Sequence, residues 1–152
     1  MSDSPPVGRT KHGELTLDQI AGLMPGLGRI MRDISDRYTL TYYAAKGGNW
    51  DLARYALGGL RKLSRTGELT RPKMAEALRA FETEFLSPIA SAIAARDWSA
   101  FDEAFTRATG EANRLHRELG YGYIEWVLPP QPPAHLTLGP VAIPDAEDGS
   151  AR

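Results

Sequence analysis

Of the three histidines in this chain, only His116 falls on a stretch whose apolar spacing turns it toward a protein interior. An imidazole placed there can move a proton near neutral pH or give a lone pair to a metal. Tyr38, Tyr42 and Tyr43 on one segment, Tyr55 on the next, and Tyr121, Tyr123 and Trp126 near the end supply rings with polar tips, suited to a planar or amphipathic ligand. The same rings at helical spacing also serve as plain core filling, so a lined pocket and a packed core are both open readings. His116 closes the pentad Ala112-Asn113-Arg114-Leu115-His116, which has the spacing C-x-x-C-H with neither cysteine present. Arg114 is expected to face solvent rather than an anion.

Composition removes several chemistries. The chain has no cysteine, which excludes disulfides, thiolate metal sites, thiol catalysis and thioether-linked cofactors. Its 18 basic and 19 acidic residues leave a net charge of -1, so no overall field favours nucleic acid or an anionic membrane. No stretch has the run of about 20 apolar residues that a membrane span needs. The N-terminal residues contain no apolar core of a signal peptide, and a cytoplasmic location is the expectation, with an exported mature form as the alternative. No Glu-x-x-His pair or glycine-rich phosphate loop is present. An enzyme would have to use His116 as acid or base, with Glu125 or a tyrosine as partner.

The 152 residues make one domain of ordinary size. Residues 1–15 read as a flexible N-terminus, residues 16–128 as a helical domain and residues 129–152 as a proline-rich, largely disordered tail. Thr16 with Gln19 forms a capping box for a short helical segment over residues 17–23, which Pro25-Gly26 interrupts. Leu27, Ile30, Met31, Ile34, Tyr38, Thr41, Tyr42 and Ala45 predict a long amphipathic helix ending at Gly47-Gly48. Arg29, Asp33 and Arg37, like Arg32 and Asp36, are spaced for exposed ion pairs on its outer face. Asn49 caps a second helix that stops near Gly67, in which Gly58-Gly59 signals a kink or a close neighbour. A third helix runs from Pro72 to Arg96 with a kink or restart at Ser87-Pro88, and Asp97 or Ser99 caps a fourth whose inner face includes Phe101, Phe105, Ala108, Ala112, Leu115 and Leu119. Residues 121–128 read as an extended piece laid along these helices.

A-A-K-G-G-N-W-D-L-A-R-Y-A-L and A-I-A-A-R-D-W-S-A-F-D-E-A-F repeat one pattern: a small-residue helix end, a capping Asn or Asp, a tryptophan and a new helix. Two such hairpins make an antiparallel four-helix bundle. Together with P-G-L-G-R-I-M, the pentad A-N-R-L-H and the closing aromatic stretch into P-P-Q-P-P, these blocks resemble a family of small bacterial helical-bundle proteins related to cytochromes c-prime. The resemblance covers roughly residues 25–133 and implies an all-α, cytochrome c-prime-like four-helix bundle. In that family C-x-x-C-H holds haem through both cysteines, with the histidine as proximal iron ligand. Here His116 survives, while Ala112 and Leu115 replace the cysteines and rule out covalent haem.

The resemblance therefore implies a relative without covalent haem that binds a small hydrophobic or planar ligand, or non-covalent haem, near His116. Candidate ligand-binding residues are His116, Tyr38, Tyr42, Tyr55, Tyr123 and Trp126, with His116 the metal ligand if haem is bound and Met31 or Tyr38 opposite it. The alternatives are a haem-free structural or interaction module with a filled core, and a small enzyme using His116. A homodimer through the first two long helices is also implied, with Ala56, Gly58 and Gly59 permitting close approach.

Overall fold

The protein is described by a computed structural model over residues 7–141. Ahead of Thr16 the chain departs from the flexible terminus that its composition suggests. Strands β1 (Val7–Thr10) and β2 (Gly13–Thr16) pair antiparallel, with Val7 opposite Thr16 and Thr10 opposite Gly13. The reversal is local in origin: Gly13 takes φ 138°, and the Thr10 hydroxyl accepts from the His12 N–H at 3.1 Å while donating to the Gly13 carbonyl at 3.1 Å. Helix α1 (Leu17–Gly22) then starts on a complete capping box, Gln19 N to Thr16 Oγ1 at 3.2 Å and Thr16 N to Gln19 Oε1 at 2.8 Å.

Beyond Pro25 the described chain is mostly helical. Helix α2 (Leu27–Lys46) buries Ile30, Tyr38, Thr41 and Ala45 of the stripe that its three- and four-residue spacing predicts, and Thr39 and Ala44 beside them. Helix α3 (Trp50–Thr70) is capped by Asn49, whose side chain accepts from Leu52 N at 3.1 Å. It runs unbroken through its glycine pair. A Cβ on Gly59 would lie 3.3 Å from the Arg37 guanidinium, so that glycine serves close approach of α2, while Gly58 faces open space. Ala56 is fully buried. Most of the small-residue set expected to receive a second copy is thus used within the chain. The helix also runs past Gly67, where a Cβ would meet Leu78 at 3.2 Å and Leu27 at 3.4 Å; that glycine marks tight packing, not a helix end.

A 3-10 turn (Pro72–Met74), helix α4 (Ala75–Phe81), a π-helical turn (Glu82–Leu86) and helix α5 (Ser87–Ala95) form one continuous rod. The widening has a covalent cause. Pro88 brings no N–H to the ladder, and Ser87 reaches back five residues, its N–H and its hydroxyl both donating to the Glu82 carbonyl. Helix α6 (Trp98–Glu118) follows a left-handed Arg96 (φ 54°) and is capped by Asp97, which accepts from Ala100 N at 3.0 Å. α2 packs along α3, α3 against α4 and α5, α5 against α6, and α6 returns to α2. No helix among the described residues is long and apolar enough to cross a membrane.

The two tryptophan turns lie at one end of this ring and fill it. Trp50 and Trp98 both reach Phe101, at 6.3 and 5.7 Å between ring centroids, and Tyr42 packs on Phe105 at 4.9 Å and Trp98 at 5.6 Å. Past α6, Gly120 (φ 85°) turns the chain back and Tyr121 N closes on His116 O at 2.7 Å. Residues 121–128 then run without regular structure, as expected, and pack Trp126 and Leu128 on the core. The proline-rich segment continues as a held strap as far as residue 141. The Tyr43 hydroxyl donates to Pro129 O, Asn49 Nδ2 donates to Thr137 O at 3.1 Å, and Gly47 lies against the Leu138 carbonyl. The tail from residue 129 thus departs, as far as it is described, from the disorder its prolines suggest; residues 142–152 and the first six residues lie outside the described residues.

Candidate functional site

At the end opposite the tryptophan turns, the same four walls leave a cavity of about 450 Å³. That size falls within the range of roughly 300–1,000 Å³ typical of small-molecule sites. Its walls come from α2 (Met31, Ile34, Tyr38), from α3 (Leu60, Ser64), from α4 and the π turn (Leu78, Phe81, Leu86), and from the last turns of α6 (Ala112, Leu115, His116) with Leu119 at its end. Tyr121, Ile124 and Trp126 of the strap complete it. The reason for the hollow is side-chain size. On α6 the rings of Phe101 and Phe105 fill the first turns, whereas the alanine at 112 brings only a methyl group to the other end.

Beside the cavity, Trp126 ties the strap to α6 and α2. Asn113 acts as a side-chain copy of a peptide group: its Nδ2 donates to Trp126 O at 2.9 Å and its Oδ1 accepts from Trp126 N at 2.8 Å. The Trp126 indole N–H donates to Ser35 Oγ at 2.8 Å on α2. With its ring edge-on to Tyr38 at 4.9 Å, Trp126 closes one side of the cavity.

His116 is oriented by the same strap. Its Nδ1 lies 3.2 Å from the Ile124 carbonyl, which can only accept, so Nδ1 carries the hydrogen and Nε2 keeps its lone pair in the neutral ring. No hydrogen bond to Nε2 occurs among the described residues. An Nδ1–H held by a backbone carbonyl is the arrangement that presents a histidine as a metal or haem ligand.

Tyr38 behaves differently. Its ring lines the cavity, yet its hydroxyl donates to Phe105 O at 3.0 Å and meets Thr109 Oγ1 at 3.0 Å. Burial drives its pKa upward, only partly opposed by the Thr109 hydrogen bond. That hydroxyl is therefore committed to α6 and is not a ligand facing His116. Met31, the other residue expected in that role, does line the cavity.

Three of the six expected ligand-binding residues, His116, Tyr38 and Trp126, come together here. The other three do not. Tyr42 sits one helical turn beyond Tyr38, inside the filled aromatic end. Tyr55 is 67% exposed beneath the Arg37 guanidinium, 5.3 Å from its ring centre, because the buried stripe of α3 runs through Ala53, Ala56, Leu57 and Leu60. Tyr123 is 82% exposed and off the lining, whereas its neighbours Tyr121 and Ile124 line the cavity while staying partly exposed. Glu125, the acid-base partner considered for His116, is not a lining residue. Sequence reasoning missed Arg32, Ser35, Ser64, Met74 and Phe81 as lining residues; Ser64, a small polar residue on the apolar stripe of α3, was the one signal available.

Charge is distributed unevenly around the site. Arg114, as expected, stays off the cavity; it holds Glu111 at 2.6 Å and also pairs with Glu118. The Arg114 hydrogen bond in turn holds the Glu111 carboxyl below its ordinary range. The ion pairs spaced along α2 do not close: among the described residues, Arg29, Arg32, Arg37, Asp33 and Asp36 have no partner within 4.0 Å. No group of three or more His, Asp or Glu side chains able to hold a metal occurs among the described residues. No protein-family model matches this chain, and no curated protein or solved structure matches it significantly.

Proposed function

We propose that this chain is a ligand-binding helical bundle of the cytochrome c-prime type that no longer carries covalent haem. The observation that supports this most is the apolar cavity of about 450 Å³ against His116. A relative whose core had simply filled would bury bulky side chains there; instead Ala112 and the surrounding aliphatic residues leave the space open. The walls are apolar with few polar groups, the make-up of a pocket for a small organic molecule.

The residues also suit non-covalent haem on one side. His116 Nε2 would hold the haem iron, with Nδ1 tied to Ile124 O, and the Met31 thioether on the cavity wall would be a second candidate donor. When bound, haem supplies an iron centre for electron transfer or for binding a small diatomic molecule. The chain's own contribution would be to orient the imidazole and to surround the bound group with Trp126 and the aliphatic walls.

Two titrations test the reading. Hemin added to the purified protein is expected to give a Soret band that His116→Ala abolishes; no band at stoichiometric hemin removes the haem form of the proposal and leaves the organic ligand. Nile red, a neutral apolar dye, is expected to brighten in the wild-type protein and not in Ala112→Phe, where a ring occupies the space. Failure of both hemin and Nile red to bind would overturn the proposal.

A further inference from the structure

The cavity has one charged group on its lining, Arg32, and no carboxylate. Arg32 lies in the second turn of α2, and its guanidinium has no ion-pair partner within 4.0 Å among the described residues, although Asp33 and Asp36 flank it in sequence. Arg114 shows the contrast: it reaches two carboxylates on the outside of α6. The remaining polar atoms of the cavity are largely spoken for. The Tyr38 hydroxyl donates to Phe105 O, Ser35 Oγ accepts from the Trp126 indole, and His116 Nδ1 is held by Ile124 O. What is left is an apolar chamber whose open polar groups include the His116 Nε2 lone pair, the Ser64 hydroxyl and one unpaired cation, Arg32.

We propose that the natural ligand is an amphipathic organic anion, an apolar body ending in one carboxylate that Arg32 receives. This rests on the cavity being a binding site, and it adds the charge and polarity of what binds. The physical argument is complementarity. An apolar body gains by leaving water for walls such as Met31, Leu78, Phe81 and Leu115, whereas a carboxylate sent into those walls would lose its hydration without compensation. Arg32 is exposed, so the carboxylate keeps part of its water and gains a forked, charge-assisted hydrogen bond from the guanidinium. A cationic ligand would meet Arg32 with no acid on the lining to offset the repulsion. Chain-shaped and flat acids share this chemistry, and the choice between them is a matter of shape.

The experiment is displacement of Nile red from the full-length protein by matched pairs: decanoate against decanol for a chain, 2-naphthoate against 2-naphthol for a flat ring. At least one acid is expected to displace the dye at about tenfold lower concentration than its alcohol, the size of one partly solvated charge-assisted contact. Arg32→Gln should erase that advantage, read as the ratio of acid to alcohol displacement within the variant, and Arg32→Lys should restore part of it. Raising the salt concentration should shrink the advantage as well. Alcohols that displace the dye as well as the acids, or a preference that survives Arg32→Gln, would overturn the inference and leave the binding site standing. Absence of Nile red binding altogether would instead remove the site on which it rests.

Discussion

Tyr38 and Asn113 show how much single side chains do here beyond filling space. Tyr38 hands its hydroxyl hydrogen to a backbone carbonyl of α6 and stacks on Phe105 at 4.1 Å, so its neutral form is favoured in the fold. Its raised pKa fixes the sign of a pH effect. In the unfolded chain a tyrosine ionises near pH ~10, while folded Tyr38 holds its proton above that. Its contribution to stability is therefore complete below about pH 10 and falls away as the pH rises further. Tyr38→Phe should flatten the alkaline limb of stability against pH, measured by urea denaturation from neutral to alkaline pH. Asn113 is coupled to both polar backbone groups of Trp126. Asn113→Ala should cost about 1–3 kcal/mol in the same assay by stranding half-buried groups.

At the level of elements, the strap is the part whose removal separates fold from site. Helices α3 and α6 carry their own side-chain caps, and α2, α3, α5 and α6 their own buried stripes, whereas the strap contributes Trp126, Tyr121 and Ile124 to the cavity and orients His116. Trp126→Ala should destabilise the protein by about 3 kcal/mol, since a large, partly buried ring and its indole hydrogen bond are lost together. Thermal denaturation reads that cost. In the same variant, Nile red affinity should fall, because the side of the cavity closed by the indole is opened to water.

For the molecule as a whole, the division into a filled end and a hollow end is a stability statement. Space of this kind forfeits dispersion contacts along its walls, so filling it should stabilise the fold while removing the function. Ala112→Leu is expected to raise Tm by a few degrees, the equivalent of about 1 kcal/mol in a chain of this size, and to weaken Nile red binding. Calorimetry with and without dye checks both halves. A variant that gained stability and kept full affinity would show that the dye sits elsewhere.

Much of the framework was legible because its signals are local. The capping box at Thr16 and Gln19, the caps at Asn49 and Asp97, and the small-residue turns before the two tryptophans each act within a few residues, and each forms as its sequence predicts. The hairpin before Thr16 was not legible, because its one turn glycine sits in a short polar stretch with no alternating apolar pattern to mark strands. His116 and Trp126 could be singled out from residue type, and Tyr38 from its place on the apolar stripe. The cavity itself could not be located in that way. Tyr38 and Tyr42 lie one turn apart on one face of α2, and periodicity assigns both to the interior without saying which end of that interior is packed. Which end is packed is decided by what the other helices bring to the same level: Phe101, Phe105 and Trp98 opposite Tyr42, and Ala112 with an aliphatic ring of walls opposite Met31. The sequence by itself determined that the chain is mostly helical, where its capped helices begin and that it has no cysteine. Only the tertiary structure decided where space remains, which tyrosine faces it and that an unpaired arginine lines it, because volume and charge pairing depend on residues far apart in the chain.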